Sequence, residues 1–147
     1  MFGFEKNGSP KRDAAAKEMM KLFADKLEKE NNYYNIHDET NMITLGFHGD
    51  NFESLTFTVI FDEDGRSISV RAYSIVRFKD DQLPDAFGFC NDMNNKFRWV
   101  KFFVDSENDL TASLDAVISK DSAAEECYEL LCRTVSIVDS ACEVLYS

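Results

Sequence analysis

The sequence predicts an α+β domain in which helices cover one face of an antiparallel sheet, in the order α-β-β-β-α-β-β-α. Residues 10–30 and 122–146 carry apolar side chains at helical spacing. Between these stretches, short segments with strand-like patterns are separated by turn-forming Gly, Asn, Asp and Ser. A chain of 147 residues that is 44% hydrophobic is long enough for one domain with its own core.

The first helix is predicted to begin at Ser9 and Pro10, because Ser is a favoured N-cap and Pro a favoured first helical residue. It runs to about Glu30, where Asn31 and Asn32 end it. Residues 1–8 are predicted to be a flexible leader, and residues 9–147 to form the single domain. One helix face, which we expect to pack on the core, carries Ala15, Met19, Leu22, Phe23 and Leu27.

The next block predicts three antiparallel strands at 42–47, 55–61 and 68–78, and a fourth that begins near Tyr33 is left open. Residues 62–65, Asp-Glu-Asp-Gly, predict a hairpin turn in which Gly65 takes a positive φ. A calcium loop can begin in the same way, but it needs further oxygen ligands and a distal Glu. Here Arg66 and a strand follow at once, which favours the plain turn.

Pro84 opens a short second helix, which Asn94 and Asn95 are predicted to end. A hairpin then spans 97–118. In its first strand, the core side is predicted to carry Val100, Phe102 and Val104, and the opposite side Trp99, Lys101 and Phe103.

The last helix is predicted to run to about Tyr146, capped at its start by Asp121 or Ser122, with Ser122 and Glu125 as a capping box. Two adjacent apolar stripes make its apolar arc wider than the usual single stripe. One side of the arc is expected to cover the sheet. The other meets either the first helix or a second subunit, and the sequence leaves both open.

The net charge of −11 predicts that nucleic acid and anionic membranes are not partners, because both are negatively charged.

Cys90, Cys127, Cys132 and Cys142 show no C-x-x-C spacing, so we expect buried free thiols in a reducing compartment. The sequence shows no membrane-spanning apolar run and no secretory signal, and we expect a cytoplasmic protein.

No nucleophile motif, phosphate-binding loop or metal motif is present, so we expect no catalysis, no cofactor and no metal. His37, beside Asp38 and Glu39, is the nearest approach to an acid–base group. The turn residues Asp105, Glu107 and Asp109 could chelate a cation, although acidic turns are more often simply solvated.

The stretch 90–95, Cys-Asn-Asp-Met-Asn-Asn, leads into 97–101, Phe-Arg-Trp-Val-Lys, and continues through 103–105, the polar turn and Leu110. This pattern resembles the YbjN-domain family, whose members are described as bacterial sensory-transduction regulators. The resemblance implies a fold like that of the type III secretion chaperones. It also implies a cytoplasmic bacterial protein that acts by binding other proteins and is a homodimer.

Large aromatic side chains opposite the core face are expected either under a helix of the same chain or at a contact surface. We predict a partner or dimer surface at Phe87, Met93, Phe97, Trp99 and Phe103. The predicted function is a non-enzymatic, protein-binding regulator. Two alternatives are a chaperone that holds an unfolded segment of an exported protein and a sensor of a small molecule or metal.

Overall fold

The computed structural model describes the backbone of residues 10–147 and the side chains from residue 13 onward. The predicted leader and the predicted N-cap Ser9 lie outside these residues. The described part contains three helices, α1 Pro10–Lys29, α2 Leu83–Lys96 and α3 Ala123–Leu145. It also contains six strands, β1 Asn35–His37, β2 Met42–Phe47, β3 Leu55–Phe61, β4 Ser67–Ala72, β5 Lys101–Val104 and β6 Leu110–Val117.

The six strands form one antiparallel sheet in the order β1-β2-β3-β4-β6-β5, which confirms the predicted α+β class. The strand left open by the sequence is formed as β1, three exposed residues paired with β2. β4 is shorter than predicted, because the ladder with β6 ends at Ala72. Further along, residues 75–78 still bond to the backbone of residues 108–110, with an isolated bridge between Arg77 and Asp109. The short strands β1 and β5 are the two edges of the sheet.

Alternating side chains on the inner strands build the core on one face of the sheet. Val59, Val70 and Leu114 come from three neighbouring strands in register and are almost fully buried. The helices α1 and α3 cover this face and pack on each other, with Phe23 and Leu131 fully buried. The wide apolar arc of α3 is therefore covered at least in part by α1, one of the two alternatives that the sequence left open.

The predicted end of α2 and the predicted capping box of α3 differ from the structure. α2 continues through Asn94 and Asn95 to Lys96. Ser122 is the N-cap of α3, but its side chain makes no capping hydrogen bond to the helix backbone. Its hydroxyl donates instead to the carboxylate of Glu126, so the predicted capping box with Glu125 is wrong.

The hairpin turn between β3 and β4 needs a glycine for two reasons. Gly65 has a φ of +68°, as predicted, which residues with a Cβ rarely adopt. A Cβ at this position would also lie 2.9 Å from the carbonyl oxygen of Ala15 in α1. The turn is therefore packed closely under the first helix.

The cysteines are all free, and the prediction that they are buried is correct for three of the four. Burial raises the pKa of the Cys127 thiol to about 12 and that of Cys142 to about 11. Burial raises the pKa of Cys90 as well. Cys132 is exposed.

Candidate interaction surface

A side chain of α2 forms hydrogen bonds with the outer backbone groups of the edge strand β5. The amide of Asn94 accepts a hydrogen bond from the Phe102 N–H at 2.7 Å and donates one to the Phe102 carbonyl at 3.0 Å. These are the two groups that a further strand would use, and unpaired edge groups invite pairing with another chain. The ring of Phe89 packs edge-on against the ring of Phe102, with centroids 6.4 Å apart. α2 is therefore fixed alongside β5 by both polar and apolar contacts.

A tight turn between α2 and β5 sets the position of the only tryptophan. The Val100 N–H donates to the Arg98 carbonyl at 2.9 Å, and Trp99 between them has a φ of +77°. A three-residue turn with a positive φ at its centre is the rarer and more strained form of the γ-turn. Trp99 therefore precedes β5 and does not continue its alternation, although the sequence pattern had placed it with Lys101 and Phe103.

The aromatic rings of this segment lie beside cations. Trp99 is 53% exposed, and its ring centroid lies 5.7 Å from the guanidinium carbon of Arg98 and 5.3 Å from that of Arg133 in α3. Phe103 is 37% exposed, and the ammonium of Lys101 lies 5.7 Å from its centroid. Distances of this size permit cation–π attraction of about 0.5–1 kcal/mol at exposed sites.

The predicted surface residues all belong to α2, β5 and the turn that joins them. Phe87, Trp99 and Phe103 are exposed, and no helix of the described chain buries them. Phe97 is half-buried and packs against the core, while Met93 is 4% exposed and lies inside it. The contact with Arg133 turns Trp99 toward α3, whereas Phe103 lies on the sheet face opposite α3.

We call the exposed part of this region the α2–β5 edge, defined by the aromatic residues Phe87, Phe97, Trp99 and Phe103 and the cations Lys96, Arg98, Lys101 and Arg133. The cations Lys96, Arg98 and Arg133 are not among the site residues that the sequence predicts. A signal for two of them is visible in the sequence, since residues 93–104 contain Lys96, Arg98 and Lys101 but no Asp or Glu. Arg133 could not be found in this way, because only the fold brings α3 to Trp99.

The acidic turn between β5 and β6 is a structural element. Asp109 is 4% exposed and accepts hydrogen bonds from the Arg77 guanidinium at 2.8 and 3.1 Å and from the Ser74 hydroxyl at 2.9 Å. These bonds hold the pKa of the Asp109 carboxyl below its usual range. Asp105 in turn accepts hydrogen bonds from the backbone N–H groups of Glu107 and Asp109. The carboxylates thus already have partners within the chain.

The other candidates from the sequence show no site geometry. His37 is exposed, and its Nε2 lies 3.0 Å from the Thr44 hydroxyl. Within the part of the chain that the structure describes, no cluster of three His, Cys, Asp or Glu side chains is arranged to hold a metal ion. In the same part, no helix combines the length and apolar character needed to cross a membrane.

Comparison with known proteins gives a family match and a structural similarity. Residues 23–146 match the model of the YbjN family, described as "Putative bacterial sensory transduction regulator". The fold is similar to the crystal structure of YbjN from E. coli, described as "a putative transcription regulator". That similarity has a TM-score of 0.56 and 13% sequence identity, and covers 84% of this chain and 89% of the other. No sequence among the curated proteins matches this chain.

Proposed function

Because this chain belongs to the YbjN family of bacterial regulators, we propose that it is a non-enzymatic regulator that binds another protein through the α2–β5 edge. The observation that carries the proposal is the exposure of three large aromatic side chains on adjoining elements at one edge of the sheet. Phe87 is 56% exposed, Trp99 53% and Phe103 37%. Regulation by protein binding requires a surface of this kind and no catalytic group.

The composition of the α2–β5 edge supports protein binding. Interfaces are enriched in aromatic residues and Arg, and Trp and Arg are common among the residues that dominate binding energy. Here the guanidinium groups of Arg98 and Arg133 both lie within about 6 Å of the Trp99 ring centroid. The ring positions are also held firmly, because α2 is fixed to β5 by Asn94 and Phe102. A rigid surface loses less conformational entropy on binding.

Backbone strain at Trp99 points to the same region. A bulky residue with a positive φ costs roughly 1–2 kcal/mol relative to the ordinary conformation. Residues held in this way cluster at functional sites, because the surrounding structure must stabilise them. At Trp99 the strain directs the ring out of the strand and toward Arg133.

Site-specific photo-crosslinking in bacterial cells tests the proposal. A photoreactive phenylalanine, p-benzoylphenylalanine, would replace Phe87 or Phe103, which keeps an aromatic ring at each position. The control places the same residue at Tyr33, which is 96% exposed and lies outside the α2–β5 edge. We expect a protein adduct from Phe87 and Phe103 and none from Tyr33. Equal adducts at all three positions, or none at Phe87 and Phe103, would overturn the proposal.

We also propose that the chain is a cytoplasmic homodimer, as its resemblance to the type III secretion chaperones implies. Absolute molar mass from light scattering on a sizing column, under reducing conditions, tests the dimer. A mass near twice 16.8 kDa would support it, and a mass near 16.8 kDa would contradict it. This result is independent of the crosslinking, because a monomer can bind a partner through the same edge.

A further inference from the structure

We propose that the α2–β5 edge takes an acidic segment of a partner protein, in which Asp or Glu residues alternate with apolar residues. This inference rests on the proposed function and adds the chemistry of the partner. Two observations lead to it: the edge is locally basic in an acidic chain, and its cations lie beside exposed aromatic rings.

The basic character of the edge is local, and three of its four cations have no carboxylate partner among the described residues, while Arg133 contacts Glu129 at 2.8 Å. Residues 93–104 carry three Lys or Arg and no Asp or Glu, in a chain of net charge −11. Lys96, Arg98 and Lys101 make no ion pair with any described residue, whereas several cations elsewhere do. Arg71, Arg77 and Lys120 each contact a carboxylate, as does Lys26. Three cations without an ion pair therefore lie close together in residues 96–101, where aromatic side chains are exposed.

The position of these cations leaves them able to bind a carboxylate. The Lys96 ammonium lies 5.3 Å from the Phe97 ring centroid, and Lys101 and Arg98 lie 5.7 Å from the centroids of Phe103 and Trp99. A ring on one side restricts where each cation can lie but satisfies none of its N–H donors by a hydrogen bond. A carboxylate can accept those N–H groups while an adjacent apolar side chain covers the ring. This geometry fits alternating acidic and apolar residues.

A second copy of this chain is a poorer occupant of the edge. In a two-fold symmetric dimer the same patch on each subunit meets itself. Here that arrangement would bring the unpaired cations of one subunit against those of the other, and like charges across an interface oppose binding. An acidic segment on a different protein avoids this repulsion.

A nucleic acid is also a poorer occupant. The DNA duplex carries one negative charge for about every 1.7 Å of its axis. Such a polymer would extend past the short basic segment and over the acidic remainder of a chain with net charge −11. A short acidic peptide can remain within the segment, since charges beyond about 8–10 Å are largely screened at physiological ionic strength.

Fluorescence anisotropy with defined probes tests the inference on the full chain. The probe is a short labelled peptide in which Asp and Glu alternate with Leu and Phe. A second peptide has Lys in place of every acidic residue, and a labelled oligothymidylate represents nucleic acid. We expect the acidic peptide to bind most tightly and to weaken as salt is added, because charge attraction contributes to its affinity.

Two double variants with the same change in net charge locate the binding site. Arg98→Glu with Lys101→Glu reverses the charge of the edge, and we expect about tenfold or greater loss of affinity for the acidic peptide. Lys21→Glu with Lys29→Glu makes the same change on exposed positions of α1 and should leave the affinity nearly unchanged. Thermal unfolding checks that each variant is folded. If the reversal variant is not folded, Arg98→Gln with Lys101→Gln replaces it, with a smaller loss expected.

The possible outcomes separate this inference from the proposed function. Equal affinity for the acidic and Lys peptides, equal losses in both double variants, or tighter binding of the oligothymidylate would each overturn the acidic-partner inference. Failure of photo-crosslinking at Phe87 and Phe103 would overturn protein binding itself. Crosslinking with no preference for the acidic peptide would leave a protein surface whose partner has different chemistry.

Discussion

At the scale of single residues, alternation predicted side-chain direction wherever the chain is a regular strand. Lys101 and Phe103 lie opposite the core as expected, and Phe102 lies within it. Trp99 departs from the pattern because a γ-turn precedes the strand. The residue type does not predict a positive φ at Trp99, since bulky residues rarely adopt one. The strain at this position is therefore a property that only the structure shows.

The γ-turn predicts an unusual order of stability for two substitutions. Trp99→Gly should be more stable than Trp99→Ala by roughly 1–2 kcal/mol, because glycine adopts a positive φ without steric cost. Both variants lose the ring, so the difference isolates the backbone. Urea unfolding measures it. At the neighbouring Arg98, which has no positive φ, the Ala variant should be at least as stable as the Gly variant. If the Ala variant is at least as stable as the Gly variant at Trp99 too, the backbone there is not strained.

The carboxylate of Asp109 predicts a dependence of stability on pH. Hydrogen bonds from Arg77 and Ser74 lower its pKa in the folded protein, so Asp109 contributes stability above the unfolded pKa of about 3.9. That contribution is lost as pH falls through the folded pKa. Asp109→Asn should therefore be less stable than the parent at pH 7, with a smaller difference at more acidic pH. A difference that stays constant with pH would show that the ionised form is not the stabilising one.

At the scale of elements, the sequence predicted the bounds of β2 and β3 to the residue, because apolar and β-branched residues there are flanked by turn residues. The end of α2 was predicted less well. Asn94 and Asn95 suggested a helix stop, but Asn94 is used within the helix to bind the edge of β5. A tertiary hydrogen bond of this kind has no signature in a single sequence.

The contact between α2 and β5 predicts a specific loss on substitution. Asn94→Ala removes two hydrogen bonds to the Phe102 backbone and should cost about 1–3 kcal/mol. Amide hydrogen exchange at Phe102 should become faster, because its N–H loses its acceptor. Asn95→Ala is the matched control, since Asn95 is exposed in the same helix and its side chain makes no hydrogen bond within the described chain. Equal effects of the two substitutions would mean that the edge contact does not stabilise the fold.

At the scale of the whole molecule, apolar spacing and turn residues predicted the α+β class, and the family match agrees with the resemblance seen in residues 90–110. The pairing of α1 with α3 was one of two alternatives, because a wide apolar arc does not identify what covers it. The candidate site was predicted in part. Its aromatic residues are visible in the sequence, whereas Arg133 joins them only through the packing of α3.

The proposed acidic partner covers an α2–β5 edge that is open in the free protein. Acrylamide quenching of tryptophan fluorescence tests it most directly, because Trp99 is the only tryptophan and lies at this edge. We predict strong quenching of the free protein that does not depend on its concentration. Quenching should fall when the acidic peptide is added, and the Lys peptide should leave it unchanged. Weak quenching of Trp99 in the free protein would contradict an open edge. Quenching that is unchanged by saturating acidic peptide would contradict an acidic partner at this edge.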